Sequence, residues 1–202
     1  PKAKFASEPV QPIRTERQLN EEWTMLQDLL EMEVAAKILL AAKSQEQTVH
    51  PLDYVSRALG VQMDQLPWES EEHKLLKAYL EQTSDGASCR ASAVYRLQRR
   101  GEAARMTAKC QGLGRHRLLW HGTPTSNLIG ILAQGLRVAP PEAPVSGYAF
   151  GKGIYFADMA SKSMGYCRAG GSEPKYLFLA EVALGESFPA RVATYMEEPM
   201  PG

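Results

Sequence analysis

The chain has 202 residues and a mass of 22.3 kDa, room for one large domain or two small ones with a buried core. Its apolar fraction of 44% and charged fraction of 23% exclude a fibrous or intrinsically disordered class. Lys and Arg (23) balance Asp and Glu (23), so net charge points to neither a nucleic acid nor a membrane, and charge has to be read locally.

Residues 1–18 hold Pro9, Pro12 and mixed charges without a period and read as a linker. Asn20 has the chemistry of a helix N-cap, with Glu21 and Glu22 in the first turn. Trp23, Leu26, Leu29, Leu30, Val34, Ile38 and Ala41 then follow at helical spacing, which predicts an amphipathic helix over 21–43 with a core-packing stripe. Pro51 opens and Gly60 closes a second predicted helix, 51–60. Ser70 caps a third, Glu71 to Gln82, with Leu75, Leu76, Tyr79 and Leu80 on one face. The chain therefore reads as helical to about residue 85.

After Asp85-Gly86 the pattern changes to short β-type runs at Ala93–Leu97, Arg117–His121, Gly153–Phe156 and Tyr176–Leu184. A helix over 125–134 ended by Gly135, a Gly/Pro-rich loop over 138–152 and a helical turn over 158–167 lie between them. The fold class expected is α+β. No apolar run is long enough to span a bilayer. Three cysteines (Cys89, Cys110, Cys167) without a CxxC pair favour a reducing compartment over a disulfide scaffold. Cys110, His116, His121 and Cys167 match no standard zinc spacing, and no metal is expected.

Two stretches carry candidate chemistry. Leu118-Leu119-Trp120-His121-Gly122-Thr123 is an apolar strand that stops on a polar residue and a glycine, where backbone groups come within reach of a ligand. Ser163 and Tyr166 lie three apart on a helical turn, offering a hydroxyl beside an aromatic face. A structural histidine and a core tyrosine are the plainer readings of these residues in isolation. The Phe150–Phe156 glycine pair matches no phosphate-loop spacing. Eight Arg/Lys against one Glu between Gly86 and Arg117 suit either a solvated face or phosphate contacts.

Taken in order, Leu118–Thr123, Gly135-Leu136-Arg137 through Pro144, Gly151–Asp158, Ser161-Lys162-Ser163 with Tyr166, and Glu181-Val182-Ala183-Leu184-Gly185 resemble the catalytic region of the poly(ADP-ribose) polymerases, in their DNA-dependent nuclear branch. Leu29–Ala35, His50-Pro51-Leu52-Asp53 and Glu72–Leu80 are similar to the last helices of that family's regulatory subdomain. The resemblance implies a linker over 1–19, part of a helical regulatory subdomain over 20–88, and over 89–202 part of a mixed, antiparallel-sheet ADP-ribosyltransferase fold, truncated at its C-terminus. It implies NAD as substrate, protein side chains or a growing polymer as acceptor, DNA breaks sensed by domains outside this chain, no membrane partner, and a nuclear location, with the cytoplasm as a second one.

Residue by residue, it implies that His121 and Tyr155 are catalytic, with His121 on the adenosine-side ribose. Gly122 would hold the nicotinamide carboxamide through its backbone, with the Ser163 hydroxyl on the same amide. Tyr166 and Tyr155 would take the two faces of the ring. Thr123, Asn127 and Arg137 would line the adenosine end and Tyr148 the bordering loop. The family's catalytic glutamate belongs to an Asn-Glu-Tyr stretch well after the Glu181–Gly185 segment, and Glu197 and Glu198, before Pro199, do not match it. The expectation is a fragment of a complete enzyme. The alternatives are a short form that binds NAD without turnover, remaining strands supplied by another chain, a partner-binding module, or a nucleic-acid-binding domain using the basic stretch.

Overall fold

The computed structural model describes residues 12–44, 48–86, 89–138, 148–167 and 173–198. The Ala139–Pro144 part of the sequence resemblance lies outside them. Helices α1 (Glu16–Ser44), α2 (Pro51–Leu59) and α3 (Glu71–Gln82) are joined by strand β1 (Val61–Gln65), and β2 (Tyr95–Arg99) and α4 (Glu102–Cys110) follow. Strand β3 (His116–Gly122) then leads through a 3-10 turn (Thr125–Asn127) into α5 (Leu128–Gln134), the short α6 (Ala160–Met164) and β4 (Leu177–Ala183). Strand β1 pairs antiparallel with β2, and β3 antiparallel with β4, Trp120 opposite Leu179 and Gly122 opposite Leu177. The α+β class expected is the one observed.

Local chemistry sets the helix ends. The first helix begins at Glu16, inside the stretch expected to be linker, because Thr15 and Gln18 form a capping box. The Gln18 N–H donates to Thr15 Oγ1, and the Thr15 N–H donates to Gln18 Oε1, both at 3.2 Å. At α2 the His50 ring accepts from the Leu52 N–H, Pro51 opens the helix, and Gly60 closes it at φ +62°, the left-handed region that favours glycine. The Ser70 hydroxyl accepts from the His73 N–H and starts α3 where expected.

Two clusters form the core. Leu59, Val61 and Leu132 join α2, β1 and α5, with Ile38 of α1 and Phe178 of β4 packed against them. Leu80, Trp120 and Ala160 join α3, β3 and α6. Burying an aliphatic side chain of this size contributes about 1.5–3 kcal/mol. These contacts matter because a two-stranded sheet is marginal alone and depends on the helices that cover it. The stripe expected along α1 packs only in part: Ile38 reaches the core, while Leu26 and Leu29 are each about half exposed. On α3, Leu75 is exposed while Leu80, expected on the same face, is buried.

Two further expectations are corrected. The region before residue 85 is not wholly helical, since Val61–Gln65 is drawn into a strand by its partner Tyr95–Arg99. Gly153–Phe156 forms no strand; pairing with β3 is limited to a single bridge between Trp120 and Ala157. Within the basic stretch, Glu102–Cys110 is a helix, and two of its cations are structural, Arg96 pairing with Glu72 and Arg99 with Glu102.

Candidate active site

The end of β3 is where the expected residues meet. Trp120 anchors it: its N–H donates to Ala157 O at 2.7 Å, and the Ala157 N–H returns to Trp120 O at 2.9 Å. The indole Nε1–H donates to Thr83 Oγ1 at 3.0 Å, and the indole stacks on Tyr79, ring centroids 5.5 Å apart. The Tyr79 hydroxyl in turn donates to Leu118 O at 2.9 Å, and the Ser161 N–H donates to Thr83 O at 3.2 Å. The C-terminal end of α3 thus fixes both β3 and α6. Sequence reading missed this support; Thr83, the C-cap of α3, gives no sign of it without knowledge of its distant partners.

One residue further on, His121 Nδ1 lies 2.9 Å from the backbone oxygen of Tyr155. A carbonyl only accepts, so Nδ1 carries the hydrogen, and in the neutral ring Nε2 is left as an acceptor for a hydroxyl. The imidazole also meets Phe156 edge-on, ring centroids 5.8 Å apart. This bond ties the end of β3 to the Tyr155 segment. The Tyr155 hydroxyl donates to Gly151 O at 2.6 Å and accepts from the Phe150 N–H at 3.2 Å, closing the glycine loop on itself. The Tyr155 ring lies near parallel to Tyr148, 6.5 Å between centroids, and stays partly exposed.

Gly122 faces α6 so closely that an added Cβ would come within 2.6 Å of the Ser163 carbonyl carbon. The Ser163 side chain is buried, and its hydroxyl donates to Trp120 O at 3.0 Å. Tyr166 stands just past α6 with its ring 62% exposed. Ser163 and Tyr166 therefore flank the same turn but differ in burial: the hydroxyl points into the protein and the ring out to solvent. Asn127 Nδ2 donates to the buried Thr123 Oγ1 at 3.3 Å, while Arg137 is exposed beyond α5.

Behind Gly122 sits Cys167, weighed in the sequence only as a zinc ligand. Its sulfur is buried 3.2 Å from Tyr176 O. Burial pushes the thiol above its ordinary value, against smaller opposing pulls from the Thr123 backbone amide and the Lys175 ammonium.

The structure thus brings His121, Gly122, Tyr155 and Ser163 together, with Tyr148 against Tyr155, and pairs Thr123 with Asn127. A polar strand end, a buried hydroxyl and exposed aromatic rings lie at this end of β3.

The family model described as the poly(ADP-ribose) polymerase catalytic domain matches residues 70–202, and that described as the poly(ADP-ribose) polymerase regulatory domain matches residues 1–55. The chain belongs to the poly(ADP-ribose) polymerase family. It is 40% identical over 195 residues to poly [ADP-ribose] polymerase 1 of Arabidopsis thaliana, a match covering 94% of this chain and 20% of that protein. It is 41% identical over 177 residues to poly [ADP-ribose] polymerase 1 of Gallus gallus, covering 85% of this chain and 17% of the relative. To poly [ADP-ribose] polymerase 2 of Homo sapiens it is 41% identical over 180 residues, 86% of this chain and 30% of the relative. The chain therefore spans between about a sixth and a third of the length of these relatives.

Proposed function

We propose that this chain binds NAD at the end of β3 as part of a nuclear ADP-ribosyltransferase, which moves ADP-ribose to protein acceptors or a growing polymer and releases nicotinamide. The observation that carries the reading is the bond from His121 to the Tyr155 backbone, which joins two separate sequence segments next to Gly122 and Ser163. In this reading residues 20–88 are regulatory, following a leading segment over 1–19, and residues 89–202 hold the substrate. DNA breaks are sensed by domains outside this chain.

Each group has a physical task. The backbone of Gly122 pairs with the carboxamide of nicotinamide, and the Ser163 hydroxyl turns from Trp120 O toward the amide oxygen. Tyr166 stacks on one face of the ring and Tyr155 approaches the other, with Tyr148 at its back. His121 Nε2 accepts from a hydroxyl of the adenosine-side ribose, while Thr123, Asn127 and Arg137 receive the adenosine end. Holding NAD at both ends orients the glycosidic bond for cleavage through an oxocarbenium-like ribose. His121 and Tyr155 act as catalytic residues by touching the substrate. The carboxylate that stabilises the developing charge is assigned to no residue of this chain.

Calorimetric titration with benzamide, a nicotinamide mimic, together with nicotinamide release from NAD, tests the reading. Saturable benzamide binding and release of nicotinamide are the expected results. Binding without release would identify a ligand-binding module lacking turnover, and absence of benzamide binding would overturn the assignment of the site.

A further inference from the structure

The second strand ends on Arg99, whose side chain is only 18% exposed, low for an arginine. Its guanidinium is committed on two sides. Nε and Nη2 face the two carboxylate oxygens of Glu102 in the first turn of α4, and Nη1 donates to Ile131 O at 3.3 Å. The same Ile131 carbonyl accepts from the Gly135 N–H at 2.7 Å, so Arg99 bonds the group that closes the last turn of α5. Gly135 is buried at φ +83°, ψ 177°, a conformation essentially confined to glycine. A Cβ there would overlap the guanidinium, lying within 2.6 Å of Arg99 Cζ. The arginine fork therefore rests against the backbone of the residue where the chain leaves α5.

That exit sets the direction of Leu136 and Arg137. The opposite end of the same helical unit carries Thr123 and Asn127, joined by a hydrogen bond. Both groups assigned to the adenosine half of NAD thus hang from one short rod, and Arg99 braces its C-terminal end. The groups assigned to nicotinamide, Gly122 and Ser163, belong to β3 and α6, and His121, assigned to the adenosine-side ribose, is held by the Tyr155 segment rather than by this rod.

We infer that Arg99, held by Glu102, is a positioning residue for the adenosine half of the NAD site, acting through the Gly135 turn and leaving the nicotinamide half untouched. The inference rests on the reading given above for the site. A lysine cannot replace it, because one ammonium lacks the planar fork that meets Glu102 and Ile131 O together.

The test compares two ligands on the full chain by titration calorimetry: benzamide, which occupies only the nicotinamide half, and benzamide adenine dinucleotide, a non-cleavable NAD analogue spanning both. Arg99→Ala is expected to weaken the dinucleotide analogue about tenfold. Benzamide affinity should stay within about twofold of the parent. Arg99→Lys, which keeps the charge but not the fork, and Glu102→Gln should show the same selectivity and serve if Arg99→Ala does not fold. Equal losses for both ligands, or unchanged affinity for the dinucleotide, would overturn the positioning role alone. Failure of the parent chain to bind benzamide would overturn the site assignment and the inference with it.

Discussion

Gly122 and the Ser163 carbonyl occupy adjoining space with no room for a methyl group between them: a Cβ at residue 122 would lie within 2.6 Å of the Ser163 carbonyl carbon and 3.2 Å from the Cys167 sulfur. The obstacle is backbone, which cannot rotate away as a side chain tip can. Gly122→Ala is therefore expected to push α6 off β3, at a cost of about 1–3 kcal/mol in a urea unfolding series. Benzamide affinity should fall more than about tenfold, because both the amide contacts and the Ser163 hydroxyl are displaced. Parent-like stability and affinity would show that the two segments part easily.

The Ser163 hydroxyl offers a separable change. Trp120 O already accepts from the Ala157 N–H at 2.9 Å, so removing its second bond leaves it satisfied. Ser163→Ala is expected to cost about 1 kcal/mol or less in thermal or urea unfolding. Loss of a hydrogen bond to the ligand amide should weaken benzamide by about tenfold in the same titration. A large loss of stability with unchanged affinity would reverse the roles assigned here.

Tyr166 tests stacking with little structural risk, since its ring is 62% exposed. Tyr166→Ala should leave the unfolding midpoint nearly unchanged, as expected for an exposed side chain, while abolishing measurable benzamide binding. Tyr95, 54% exposed on β2, is the matched control, and Tyr95→Ala should bind benzamide as the parent does. Equal effects at both positions would count against a stacking role for Tyr166.

Cys167 gives a pH signature. Its thiol is pushed up from an ordinary value of 9.0 chiefly by burial, so the folded chain holds the proton more tightly than the unfolded one. The associated stability is complete below the ordinary value and is lost as pH rises through it toward the folded value. Urea midpoints measured between about pH 8 and 10 should fall with pH in the parent and fall less steeply in Cys167→Ser. Identical slopes would show that the sulfur is not desolvated.

How far the sequence reveals this molecule depends on range. Helices α2 and α3 are legible almost to the residue, because Pro51, Gly60 and Ser70 act on backbone groups within a few positions. The capping box of Thr15 and Gln18 is equally local and was readable, but the prolines nearby drew the boundary too late. Strand β1 is short: Val61-Gln62-Met63-Asp64 alternates apolar and polar over only four residues, and the distant β2 completes it as a strand. Gly153–Phe156 shows the converse, a β-type run that finds a partner only at Ala157. That Gly122 and Ser163 lie together was implied by family resemblance, not by spacing, and the bond from His121 to the Tyr155 backbone was implied by neither. The role of Thr83 was not legible because its partners Trp120 and Ser161 lie far along the chain.

The bonds of Thr83 to Trp120 and Ser161 bear on how this protein can be divided. A shortened version starting after Gly86 would retain every residue expected to touch NAD, yet the indole nitrogen would lose its acceptor and the Leu118 carbonyl its phenol. A shortened version that keeps both bonds reaches back through Glu71–Gln82 and Thr83.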